Sequence, residues 1–225
     1  MQELRRIKQM KVLPKFIAVV HVSSDFQAEN QTKIAFDNGA DGIFLIDHAR
    51  DYLQLQNTYC KIRERFSENW IGVNFLDLGP SQAIKFASSN IDGLWLDNVD
   101  SIKISDLYFY RHYKLFAGIA FKYQKQPENL ERETKLISDI FDVATTSGAG
   151  TGKEADLDKI KRMKSAIGEK PLAIASGITS DNVENYLPFV DSFLVSTGIS
   201  ISFFQFDPKR IRELSNKINS FKRQV

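Results

Sequence analysis

The sequence carries a single cysteine, Cys60, among 225 residues. One thiol excludes a disulfide framework and any metal site built on cysteine pairs. Cys60 lies in an amphipathic helical pattern, where an inert, partly buried side chain is expected. Histidine is scarce too, at three. No apolar run approaches the roughly 18 residues that span a bilayer, so no integral membrane segment is expected. The opening MQELRRIKQMKVLP lacks the apolar stretch of a signal peptide, and a cytoplasmic location is the expectation. Neither sign of charge dominates: 30 basic residues against 28 acidic leave a net charge of +2. That balance argues against a nucleic-acid partner. The basic runs near the two ends, LRRIKQMK and KRIRELSNKINSFKRQ, read as solvated helix faces. Glycine-rich dinucleotide signatures are missing after the first apolar run, where the loop reads His21-Val22-Ser23-Ser24-Asp25. No cofactor is therefore expected, a flavin or nicotinamide enzyme being the weaker alternative.

What the sequence does contain is a repeating alternation. Short apolar runs stand at Lys15 to Val22, Gly42 to Ile46, Trp70 to Phe75, Ile91 to Leu96, Tyr113 to Phe121, Phe141 to Thr145, Pro171 to Ala175 and Val190 to Val195. Continuous apolar runs fit strands buried on both faces, as in parallel sheets. Helical patterns separate them: Gln27 to Phe36, Arg50 to Phe66, Pro80 to Ser89, Ile104 to Arg111, Pro127 to Ser138, Glu154 to Ile167, Asp181 to Leu187, and a last helix capped by Asp207 with Pro208 at its first position. Residues 1–13 read as a further short helix ended by Pro14. Eight strand–helix units of about 25–30 residues predict one domain over residues 1–225, an α/β fold of the single (β/α)8 TIM-barrel type. A doubly wound open sheet alternates in the same way, but its glycine-rich turn follows the first strand. Here the glycine-rich loops follow the sixth, seventh and eighth runs. These are Thr145 to Gly152, then Ser176-Gly177-Ile178-Thr179, then Ser196-Thr197-Gly198. Loops after strands 7 and 8 are where such barrels hold phosphate, so these two predict a phosphate-binding cradle. A tight turn that simply needs glycine is the plainer reading.

The last third of the chain resembles the BtpA family of barrel proteins, which includes the SgcQ-like sugar-operon proteins. The resemblance rests on Thr146 to Gly152, on Ala175 to Val183 and on Asp191 to Gly198. It is looser at Val20-His21-Val22, Asn38 to Ile43 and Ile71 to Asn74. This chain has Ser23-Ser24-Asp25 where members carry Leu-Pro-Gly, and Ile199-Ser200-Ile201-Ser202 where a Lys usually follows. The resemblance implies a TIM barrel with a phosphate site. It also implies two kinds of role: enzymes of sugar or nucleoside metabolism, and a non-catalytic biogenesis or binding factor. A weaker likeness to phosphoribosylanthranilate isomerase rests on the same two final loops.

Catalytic residues in a barrel of this kind stand at the C-terminal ends of strands. That rule selects Asp47, Asp97, His21 and His48 as acid–base candidates. Asn74, Asn98, Lys122, Thr145, Thr146, Gly148 and Gly150 are further mouth residues. Asp47 and Asp97 have the alternative of capping a loop, and His21 that of a hydrogen-bonded residue in the barrel. Trp95 reads as core. Lys122 suits an imine-forming amine if desolvated, but Lys125 and the loop around it favour exposure. The set His21, Asp47, His48 and Asp97 lacks metal-ligand spacing, so no metal is expected. The expected partner is a small phosphorylated molecule, a phosphosugar or nucleotide-like compound, acted on by an isomerase, lyase or transferase. A homo-oligomer stays open.

Overall fold

A computed structural model describes residues 12–88, 90–99 and 113–222. The expected helices over residues 1–13 and 104–111 lie wholly or largely outside that range. Eight parallel strands close into a barrel in sequential order. They are β1 Phe16–His21, β2 Gly42–Ile46, β3 Trp70–Asn74, β4 Gly93–Leu96, β5 Lys114–Gly118, β6 Val143–Ser147, β7 Leu172–Ala175 and β8 Ser192–Val195. The helices are α1 Asp25–Asp37, α2 Tyr52–Arg65, α3 Pro80–Phe86, α4 Leu130–Ile140, α5 Leu157–Ile167 and α6 Pro208–Ser220. The expected helix at 181–187 is a single 3-10 turn, Val183–Asn185. The chain is thus a single (β/α)8 TIM barrel. Among the described residues no helix is long and apolar enough to cross a membrane.

The strands form where the sequence is apolar on both faces. One parity points outward against the helices. The other points inward, where Ile17, Val19, Phe44, Ile46, Trp70, Trp95, Phe116, Val143, Ala173 and Leu194 make a separate interior core. Large inward rings are matched by inward glycines. A Cβ on Gly93 would lie 2.5 Å from the Trp70 ring, and one on Gly72 would overlap Phe44. Phe44 meets Trp70 and Phe116 edge-to-face, with ring centroids 5.2 and 5.1 Å apart. Burying each such ring stabilises the fold by about 1.5–3 kcal/mol.

The helices start where a small polar residue can accept a hydrogen bond from an early backbone N–H. Ser24, Asp51, Asn129, Asp156 and Asp207 do so for α1, α2, α4, α5 and α6. Pro127 therefore precedes α4 and is not in its first turn. Cys60, expected to be partly buried, is exposed on α2.

The floor of the barrel is held by one device used four times. An aspartate just before β2, β4, β6 and β8 accepts from a backbone N–H at the start of the preceding strand. The pairs are Asp41 with Phe16, Asp92 with Ile71, Asp142 with Leu115 and Asp191 with Leu172, at 2.8–2.9 Å. Asp92 also receives the guanidinium of Arg63, and both side chains are about 95% buried. Arg63 Nε donates to the Tyr59 hydroxyl at 3.1 Å, and Nη1 to the carbonyls of Ser67 and Asn69. Between β8 and α6 the chain adds an unexpected hairpin, β9 Ser200–Ser202 with β10 Gln205–Phe206. Two α1 side chains fasten it: Gln27 donates to the Phe204 carbonyl at 2.8 Å, and Gln31 accepts from Phe206 N–H.

Candidate active site at the barrel mouth

Inward parity continues past the strand ends, and this decides which polar residues reach the mouth. In β1 it runs Ile17, Val19, His21; in β4, Gly93, Trp95, Asp97. Both His21 and Asp97 line a cavity of about 530 Å³ at the C-terminal end of the barrel. Asp47 follows the inward Ile46 and so turns outward. Its carboxylate accepts from the N–H groups of Ala49 and Asp51 at 2.9 Å each and orders its own loop. His48, one residue on, returns to the cavity. The other expected residues that line it are Lys122, Ser176, Ser196 and Thr197. Arg50, Asp77, Tyr123, Gln124, Thr151 and Phe203 join them. None of these six was selected as a site residue from the sequence; all lie in the loops that follow the strands. Val19, Ile46, Leu76, Trp95, Phe121 and Leu194 make the apolar lining.

On one side of the cavity His21 Nδ1 and His48 Nε2 share a proton across 3.0 Å. Phe203, from the hairpin tip, stacks on His21 at 4.2 Å between ring centroids and meets His48 edge-on at 5.1 Å. Burial under this cover, with the charges of His48 and Lys122 nearby, lowers the His21 pKa to about 4. Burial also lowers that of His48. Both imidazoles are therefore neutral at pH 7, one donating and one accepting.

Opposite them stand Asp97 and Lys122. Burial raises the Asp97 carboxyl to about 6; a hydrogen bond from Asn74 Nδ2 at 3.3 Å and the charge of Lys122 oppose the shift. Gln124 donates to the Asp97 carbonyl and ties the two loops together. Lys122, expected to be solvated, is half-buried in the cavity wall. Its Nζ donates to Thr151 Oγ1 and Ser176 Oγ, both at 3.2 Å, and it forms no ion pair among the described residues. Burial lowers its pKa, with the Asp97 charge acting the other way. Its position is fixed from behind. Lys122 N–H donates to Ser147 Oγ at 2.8 Å, and Lys159 on α5 donates to the carbonyls of Ser147 and Ala120.

The two final loops lie beside Lys122. The backbone N–H groups of Gly177, Ile178, Thr197 and Gly198 donate to no other described residue, whereas Thr179 N–H is taken by Asn182. The glycines are also demanded by packing. A Cβ on Gly177, at φ +73°, would overlap the backbone of Lys153 and Glu154, and one on Gly198 would overlap the Ile178 carbonyl. Gly148 is filled in the same way by the Lys153 carbonyl. Thr145 and Thr146 are fully buried and bond weakly, at 3.4 Å each, to the carbonyls of Val143 and of Ala120 in the loop after β5. Gly150 is buried near Tyr123, while Asn98 is exposed.

Backbone strain concentrates here. Among the described residues five that are not glycine have positive φ: Arg50, Asp77, Ala120, Tyr123 and Ser176. Four of them line the cavity. Such residues cost of order 1–3 kcal/mol each and persist where the surroundings hold them, which is typical of ligand sites. Two buried polar atoms at the site also have no hydrogen-bond partner among the described residues, Trp95 Nε1 and Asn74 Oδ1.

No family model matches this chain, and no curated protein matches it. The likeness to BtpA proteins therefore rests on the motifs alone. Solved structures do match. Orotidine 5'-monophosphate decarboxylase from Methanocaldococcus jannaschii, complexed with the inhibitor BMP, is 14% identical with a TM-score of 0.69 over 93% of this chain and 100% of that one. Phosphoribosyl anthranilate isomerase from Thermus thermophilus is 14% identical, with a TM-score of 0.67 over 91% and 98%. (S)-3-O-geranylgeranylglyceryl phosphate synthase from Thermoplasma acidophilum, in complex with sn-glycerol-1-phosphate, is 12% identical, with a TM-score of 0.63 over 96% and 97%. At this identity the likeness is one of fold, and the fold these matches share with the chain is the TIM barrel.

Proposed function

We propose that this protein is an enzyme of a small phosphorylated metabolite, a phosphosugar or nucleotide-like compound, working by acid–base chemistry at the barrel mouth. One observation carries the reading: a single cavity brings Asp97, Lys122 and the His21–His48 pair together without pairing them off as salt bridges. A carboxyl group titrating near 6 exchanges protons readily at neutral pH. The neutral histidine pair accepts a proton at one nitrogen and releases one at another. Phosphate is held by the open N–H groups of the last two loops and by Ser176 and Thr197, with Lys122 supplying charge beside them. Binding energy from that remote group positions the reacting carbon. Trp95 Nε1 gains an acceptor when a polar ligand sits on the floor. The structural neighbours support this, since by name they handle phosphoribosyl anthranilate, orotidine 5'-monophosphate and a glyceryl phosphate.

A thermal-shift screen with phosphosugars, nucleotides and inorganic phosphate tests it. A ligand at 100 times its Kd adds roughly 2.7 kcal/mol and raises the midpoint by several degrees. Thr197→Glu, an exposed position, should abolish the shift by repulsion. Failure of every phosphorylated compound to stabilise the protein would overturn the reading.

A further inference from the structure

We infer that Lys122 is a nucleophile that forms an imine with an aldehyde or ketone carbon of the substrate. The substrate class is then a phosphorylated carbonyl compound; the phosphate part rests on the function proposed above, and the amine part does not.

The argument begins with what surrounds the amine. A structural lysine is held by a carboxylate, which fixes the ammonium form. Lys164 with Asp191 and Lys170 with Asp139 are examples in this chain. Lys122 Nζ instead bonds two hydroxyls, Thr151 Oγ1 and Ser176 Oγ. A hydroxyl accepts from an ammonium and donates equally well to a neutral amine, so this setting accommodates either state. Burial in the wall of a cavity that Phe121 and Trp95 also line then favours the neutral, nucleophilic form, in keeping with the lowered pKa. Ser176 holds its hydroxyl there from a left-handed backbone, at φ +83°. Lys159 serves as the contrast. It is also desolvated, with its pKa lowered to about 8, but its ammonium is committed to two backbone carbonyls outside the cavity.

The chemistry balances with groups on the page. The Nζ lone pair attacks the carbonyl carbon, a C–N bond forms and the C=O π electrons move to oxygen. Asp97, protonated, gives its proton to that oxygen and takes one back from nitrogen. It gives the proton again as the C–O bond breaks, so oxygen leaves as water. The products are a protonated imine, water and the Asp97 carboxylate. The imine withdraws electrons from the neighbouring carbon, so a C–H or C–C bond there becomes labile, and the neutral His21–His48 pair faces the same space to take the proton.

The test is reductive trapping of the full chain. Dihydroxyacetone phosphate and unphosphorylated dihydroxyacetone serve as probes, sodium borohydride reduces any imine to a stable amine, and peptide mass mapping locates it. Lys122 should be modified ahead of the exposed lysines, as its larger neutral fraction requires. Lys122→Arg, checked for an unchanged thermal midpoint, should lose that adduct and no other. Faster trapping with the phosphorylated probe supports the phosphate cradle as well. Equal trapping with both supports the imine and counts against the cradle. Modification spread evenly over surface lysines, or no adduct at Lys122 with either probe, overturns the inference.

Discussion

The ring of Phe203 lies 4.2 Å from that of His21, nearly parallel to it, although the two residues are far apart in the chain. Phe203 is half exposed, at 50%. It covers one face of the histidine pair, and as a half-exposed side chain it adds little to the fold.

Phe203→Ala should consequently leave stability almost unchanged, within about 1 kcal/mol. It should rehydrate His21, whose pKa then rises from about 4 towards 6.5. Titration of the imidazole proton resonances checks this. An unshifted His21 would mean that the barrel, and not the hairpin, desolvates it.

Asp97→Asn should stabilise the protein at pH 8 while impairing turnover. The folded carboxyl binds its proton up to about pH 6 and the unfolded one only to about 3.8. Wild-type stability therefore falls as pH rises from 4 to 6, and the variant escapes that loss. A gain on the order of 2 kcal/mol at pH 8 should vanish at pH 3.5. Melting curves at the two pH values decide it.

Gly198→Ala and Gly177→Ala should each destabilise by more than 2 kcal/mol, since backbone atoms occupy the Cβ positions. Gly168→Ala is the control: φ is +60° there, but nothing lies within 4 Å. It should cost about 1 kcal/mol for the backbone conformation alone. Equal losses at all three sites in urea melts would show that the last two loops have room to spare.

Arg63→Ala should cost about 3–5 kcal/mol, because it leaves the buried Asp92 carboxylate unpaired. The double change Arg63→Met with Asp92→Leu should recover part of that. Ligand-induced thermal shifts should survive in either variant, since the pair sits on the face opposite the cavity.

The barrel was legible because its strands are short apolar runs that no helix period explains. Gly42–Ile46 was read to the residue, and the other strands to within a few. His21 and Asp97 were selected because they stand at strand ends, and their inward parity, counted from Ile17 and Trp95, is what brings them to the cavity. The same count turns Asp47 away from the mouth, a distinction that a rule about strand ends misses. Lys122 was read as solvated because Lys125 follows and the loop around it reads as exposed, despite the flanking Phe121 and Tyr123; the left-handed turn at Tyr123 and the hydroxyl of Ser147 fold it inward. Phe203 gave no local signal at all. Its place over His21 depends on Gln27 and Gln31, which meet the hairpin across some 175 residues of chain.

The four floor aspartates, at positions 41, 92, 142 and 191, recur about every 50 residues, the length of two strand–helix units. Each ties an odd strand to the even strand that follows it, and no aspartate among the described residues makes the same backbone tie from an even strand to the next odd one. The barrel is thus assembled from four locked pairs with four plainer seams. A gene that grew by copying a two-strand unit would carry this mark. Circular permutants opened at a seam, between β2 and β3 or between β6 and β7, would keep every pair intact, whereas those opened inside a pair would sever one.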